Sequence, residues 1–235
     1  MMSFLYNPVY PFLLLLALVS GKSQQTGTVK KIQSAYLIKM KEPVWDDPVW
    51  DDPETVKMDG DKAASDNQLR VFSRWNNDSL SFCFRVADTD LRAFQNVKDH
   101  PKLYLDDMVE ILLDTRNDKD SCWSADDLVY HVNLNGIKKD DRGSVECITN
   151  PLWDGYARIS VKLFGTLHDT TDIDKGYLMM LNFPWKELAQ EPHRGLLLGI
   201  NFANGDNDGK GRQLYDWAGA SPMRSPCAFG NVVLN

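Results

Sequence analysis

Four residues suited to polar chemistry, a carboxylate, an imidazole and two carboxamides, recur at one phase of three apolar stretches. Glu110 lies in YLDDMVEILLD, residues Tyr104 to Asp114, where Val109, Ile111 and Leu113 fall on one side at period two and Met108, Glu110, Leu112 and Asp114 on the other. Tyr130, Val132 and Leu134 alternate with His131, Asn133 and Asn135, and Ile200 and Phe202 alternate with Asn201. Each stretch reads as a strand with a core face and a polar face. As neighbours in one sheet, the three would gather Glu110, His131, Asn133 and Asn201 on a single surface. Such a surface donates and accepts hydrogen bonds. No GxSxG, HExxH or comparable nucleophile or metal motif accompanies it.

The strands that must position these residues are numerous and short. LRVFSRW and LSFCFRV flank an Asn76-Asn77-Asp78 turn and read as a hairpin whose second strand is half-buried, with Leu80, Phe82, Phe84 and Val86 in one phase. YARISVKLFG, GYLMMLNFPW, LLLGINFAN and AFGNVVL supply further strands, and Pro184 can open a short helix through Trp185, Lys186 and Glu187. Asn204 to Gln213 reads as a glycine-rich turn region; position twelve of an EF-hand loop begun at Asp206 would be Trp217, which excludes that motif. Short strands, turns rich in Gly, Asn and Asp, and few helix-length periodic runs point to an all-β antiparallel sandwich of jelly-roll type with at most short helices.

Around this middle, the chain organises simply. Its 235 residues, 43% hydrophobic, suffice for one sizeable core. Residues 1–23, with the apolar run Phe12 to Val19 and small residues at Gly21 and Ser23, read as an export signal; the run is too short for a membrane span, and no cysteine follows it to anchor a lipid. A secreted or periplasmic chain is expected, with residues 24–40 an N-terminal edge strand or entry segment and residues 41–235 the sandwich domain. Cleavage removes one charge, Lys22, and takes the formal net charge from −7 to −8, which argues against a nucleic-acid partner.

Export permits disulfides, and of the four cysteines Cys122 and Cys147 flank a hairpin-like Asn135-Gly136 turn that would bring them together. In PVWDDPVWDD, which repeats itself from Pro43 to Asp52, Trp45 and Trp50 are expected to plug the end of the core in preference to contacting sugar. The acidic loop after Asp114, TRNDKDSCWSADD, is either a solvated loop or a source of oxygen ligands for Ca²⁺.

The succession VKMDG, RWNNDSLSFCFRVADTDL, LYLDDMVEILLD, YHVNLNG, YLMMLNFPW, GINFAN, YDWAGA and AFGNVVL resembles family 9 carbohydrate-binding modules of secreted bacterial proteins. The resemblance covers Lys41 to Asn235, and its most specific part is the DxVEIxLD-type strand with the closing W…FG…L pattern. It implies a sandwich with bound calcium and a cleft that grips a terminal sugar between two aromatic rings. By the resemblance, the two rings fall on Tyr104 and Trp217, and the polar contacts on Glu110, His131, Asn133 and Asn201. His131 stands where the family has arginine, and Ala203 where it has glutamine, so the sugar contacts differ from the family pattern. The implied role is non-catalytic binding of an oligo- or polysaccharide, beside separate glycoside hydrolases. Two other readings remain open from the residues: a glycosidase pairing Glu110 with Asp106 or Asp107, and a haem-binding electron-transfer sandwich with His131 and Met108 as axial ligands.

Overall fold

The computed structural model describes residues 29–42, 44–52, 56–59, 67–144, 147–209, 211–218 and 225–235. The expected export signal, residues 1–23, lies outside them. Among the described residues there are thirteen strands: β1 (Lys31–Tyr36), β2 (Val56–Asp59), β3 (Gln68–Trp75), β4 (Ser79–Ala87), β5 (Met108–Asp114), β6 (Asp127–Asn133), β7 (Lys138–Gly143), β8 (Thr149–Asn150), β9 (Arg158–Phe164), β10 (Gly176–Pro184), β11 (Leu197–Asn207), β12 (Arg212–Asp216) and β13 (Gly230–Leu234). The one α-helix among them is a single turn, α1 (Trp185–Leu188), begun at Pro184 as its sequence suggests.

Hydrogen bonding links the strands in the order β8-β7-β6-β5-β11-β13-β1-β3-β4-β10-β9, with β12 beside β11 and β2 beside β3. The two ends of this path face each other as the layers of a sandwich. Phe202 of β11 meets Phe82 and Phe84 of β4 at ring separations of 6.3 and 6.0 Å, and Tyr130 of β6 meets Phe183 of β10 at 5.2 Å. The core is what the period-two reading requires: Val109, Ile111 and Leu113 point in from β5, Leu80, Phe82, Phe84 and Val86 from β4, and all are buried.

Turn chemistry fixes the register of the hairpins. Asn76 Oδ1 accepts from the N–H groups of Asp78 and Ser79, both at 2.9 Å, and so closes the β3–β4 turn. Between β6 and β7 the chain turns through Asn135-Gly136, with Gly136 at φ +71°, where a glycine is free of the Cβ penalty. That hairpin brings Cys122 and Cys147 into a disulfide with a Cα separation of 5.1 Å.

Three expectations need correction. β1 is not an edge strand: Lys31–Ser34 pair with β13 and Ser34–Tyr36 with β3, both parallel, so β1 joins the two layers. Its mixed polarity follows from where Ser34 sits, buried and accepting from the Ser73 hydroxyl at 2.8 Å. Trp45 and Trp50 do not plug the end of the core. They cover the outer face of the β3–β4–β10–β9 layer, where Trp50 packs with Phe72, Cys83 and Leu178. Finally, the glycine-rich stretch after Asn204 is strand as far as Asn207, and only residues 208–211 separate it from β12.

Candidate functional site

The three strands carrying the polar residues are neighbours, β6–β5–β11, as the site requires. Glu110 of β5 stands directly between His131 of β6 and Ala203 of β11 on the face turned away from the core. It is 2% exposed. Its Oε1 accepts from Arg212 Nη2 at 2.7 Å and lies 3.6 Å from His131 Nδ1. Burial works against ionisation of Glu110, but His131 and Arg212 more than offset it and hold the carboxyl below its ordinary range.

Arg212 reaches Glu110 from β12 by crossing Gly205 of β11. A Cβ on Gly205 would fall 3.1 Å from Met108 Cγ and 3.4 Å from Arg212 Nη2, so glycine keeps that path open. On its other side the Arg212 guanidinium lies 5.9 Å from the centre of the Tyr104 ring. Tyr104 belongs to a 3-10 turn, Leu103–Leu105, just before β5, and is 48% exposed. The arrangement is thus an accessible aromatic ring beside a guanidinium, a carboxylate and an imidazole. Its Nδ1 is buried without a hydrogen-bond partner among the described residues, and Lys139, opposite His131 on β7, is paired with Asp141 at 2.7 Å.

Three residues expected at the site are elsewhere in role. Asn133 is fully buried, donating to Gln95 O and Asp106 Oδ2, both at 2.8 Å, and accepting from the N–H groups of Asn135 and Ile137. All its capacity goes into the β6–β7 turn and the loop before β5. Asn201 is buried as well, bound through Nδ2 to the Asp216 carboxylate and through Oδ1 to Ala218 N. Trp217 is 6% exposed and lies against Phe202 at a ring separation of 4.8 Å. A Cβ on Gly230 would come 2.4 Å from its Cζ3. A wall on which a sugar stacks must present a face, and the Trp217 face is spent on the core. Arg212 takes the place beside Tyr104; no motif in the sequence marked it, because its approach to Glu110 follows from the pairing of β12 with β11 and of β11 with β5.

The alternative chemistries fit less well. Asp106 accepts from Phe94 N, Gln95 N and Asn133 Nδ2, and Asp107 from Arg92 N and Asn207 N, so both carboxylates serve the backbone rather than facing Glu110 across a bond. Met108 and His131 project from one sheet face at diagonal positions, and Met108 is fully buried. Haem ligands must approach the iron from opposite sides.

Two buried carboxylate clusters also emerge. Asp88, Asp107 and Asp206 bring ligand oxygens within 4.8 Å of one another, as do Asp114, Asp126 and Asp127. Asp88 Oδ2, Asp126 Oδ2 and Asp127 Oδ1 are buried without a hydrogen bond. Burial raises Asp88, aided by the charges of Asp206, Asp208 and Asp90, and raises Asp107, aided by those of Asp88 and Asp206; it also pushes Asp127 up to about 7. Asp127 also sits directly opposite Asp114 in the β5–β6 ladder, a like-charge pairing that destabilises a sheet unless a cation lies between. Buried carboxylate oxygens are hard donors, and their gathering in threes fits a divalent cation of the calcium type. The signal was in the sequence: Asp88, Asp107 and Asp206 share the phase of the core residues Val86, Val109 and Phe202.

Comparison with known proteins places this geometry in context. A family model described as carbohydrate family 9 binding domain-like matches residues 39–235. A family 9 carbohydrate-binding module from Caldicellulosiruptor kristjanssonii in complex with cellotriose is similar in structure, with a TM-score of 0.63 and 21% identity over 88% of this chain and 94% of that one. The same organism's module in complex with glucose gives 0.63 and 22%, over 88% and 96%. A search of curated proteins finds no match.

Proposed function

Since the chain belongs to the carbohydrate family 9 binding domain-like family, we propose that it binds carbohydrate without transforming it, at the surface formed by Tyr104, Glu110, His131 and Arg212. The observation that carries this reading is the buried Glu110 bonded to Arg212 at the foot of an exposed tyrosine. A pyranose ring offers an apolar C–H face and a rim of hydroxyls. Tyr104 supplies a rigid flat surface for the first, while Arg212 and His131 donate to the second and Glu110 accepts from it. The relatives bound to glucose and cellotriose support the ligand class. Gripping of a chain end and service to separate glycoside hydrolases in an exported setting are the finer parts of the proposal.

Calcium belongs to it as well. Asp88, Asp107 and Asp206 would hold one ion and Asp114, Asp126 and Asp127 a second. The ions would neutralise carboxylates that burial otherwise drives toward protonation. The first cluster joins the end of β4 to the start of β5 and to β11, and the second joins the end of β5 to the start of β6, so the ions would brace the site's scaffold.

Titration of the purified chain, calcium present, against mono- and oligosaccharides in free and reduced-end forms tests the reading. Binding is expected, and its loss on reduction of the sugar end would establish end recognition. Binding unaffected by reduction would remove that part, and silence across the panel would overturn carbohydrate recognition.

A further inference from the structure

The tandem PVWDD repeat builds a second feature on the layer opposite Glu110. Trp50 is fully buried against Phe72 at 4.6 Å and Trp45 rests on Phe164 at 4.9 Å. The Arg85 guanidinium lies by both indoles, 5.8 Å from Trp45 and 5.2 Å from Trp50, and its Nη1 donates to Trp45 O at 3.0 Å. The five-residue spacing of the repeat thus sets two tryptophans about one arginine, and pins the strap to half of the sheet's outer face. Among the described residues nothing covers the other half.

On that half is a groove of about 440 Å³, lined by Met40, Glu42, Arg158, Ser160, Met180 and Asn182 among others. It adjoins a second cavity of about 210 Å³ under the strap, which shares Met40, Glu42 and Met180 with it. Together they fall in the size range of ligand pockets. The polar groups are arranged rather than scattered: Asn182 Nδ2 donates to both Ser79 Oγ at 2.8 Å and Ser81 Oγ at 2.7 Å, which fixes the amide across β4 and β10. Arg158, at the start of β9, is exposed, and among the described residues its guanidinium makes no hydrogen bond or ion pair.

We propose that this groove is a second carbohydrate subsite, taking the interior of an oligosaccharide chain on the layer opposite the Tyr104 site. The proposal rests on the carbohydrate-binding reading above. A guanidinium, a carboxamide, serine hydroxyls and the Glu42 carboxylate offer mixed donors and acceptors, the complement of sugar hydroxyls. Met40 and Met180 offer adaptable apolar surface for C–H faces. An anion would meet Glu42 and Asp78, and an apolar partner would strand the polar side chains. Elongation across two cavities on a flat sheet face suits several sugar units rather than one end.

Calorimetry with cellohexaose, xylohexaose and mannohexaose tests this on the full chain. At least one hexasaccharide should bind wild type at two sites and Tyr104→Ala at one. In the Tyr104→Ala background, Arg158→Ala should weaken the remaining site about tenfold. Ser160→Trp, which fills the groove, should remove it. If Tyr104→Ala abolishes all binding, or neither groove substitution moves what remains, the second subsite is refuted while the Tyr104 reading stands. If wild type binds none of the three and no smaller sugar, both fail.

Discussion

Glu110 is buried enough to be neutral on its own, and its charge depends on Arg212 and His131. Its folded pKa lies below the ordinary 4.5, so the stability it contributes is complete above that value and lost as pH falls through the folded pKa. Wild type should therefore show an acid limb of destabilisation below about pH 4.5 that Glu110→Gln flattens, measured by urea unfolding across pH. Arg212→Ala, which removes one partner from a buried acceptor, should cost about 1–3 kcal/mol at neutral pH in the same assay. The thiols make a second test. Burial pushes Cys83 up to about 12, while Cys227 is exposed. A thiol reagent at pH 8 should label only Cys227 in the native chain and Cys83 as well once urea is added. Glu110, His131 and Tyr104 were legible because alternation fixes which face a strand residue takes. Asn133 and Asn201 were not, since the same face is partly roofed by turns and by the chain after β12, and phase alone does not reveal a roof; Trp217 was not, since its ring turns to the core side against Phe202.

At the scale of elements, most strands could be read from their apolar phase, and so could the β3–β4 turn, the single-turn helix and the Cys122–Cys147 bridge. β1 was misjudged because a strand that leaves one layer halfway and joins the other carries no clean alternation. The PVWDD strap was misplaced for a different reason: two tryptophans demand burial, but which surface receives them is decided by Phe72, Phe164 and Arg85, remote in sequence. Trp50→Ala should cost about 3–5 kcal/mol, measured by chemical denaturation, because the ring is fully buried. The acidic loop ends at Asp114, Asp126 and Asp127 give the metal proposal its own check. A chelator should lower the melting temperature of the wild-type chain and added calcium restore it. Asp107→Asn together with Asp127→Asn should abolish the response. A melting curve indifferent to chelator would remove calcium from the account.

Across the whole molecule, the path of eleven strands, with β12 and β2 beside it, has one strand, β1, bridging its two layers, and each layer shows a different outer face. One presents Tyr104 with Glu110, His131 and Arg212; the other carries the strap and its groove. Fold class followed from strand count and turn composition, because closing many short strands over one core leaves few architectures. The location of binding did not follow so directly: it depends on Arg212 crossing Gly205, a path that pairing of β11 with β12 creates. The most direct measurement is a calorimetric titration of wild type and Tyr104→Ala, calcium present, with the smallest saccharide that wild type binds. Tyr104 is half exposed, so the substitution should leave the melting temperature within about a degree while weakening binding at least tenfold. Undiminished affinity in a folded Tyr104→Ala chain would contradict the claim that this surface is where the protein meets carbohydrate.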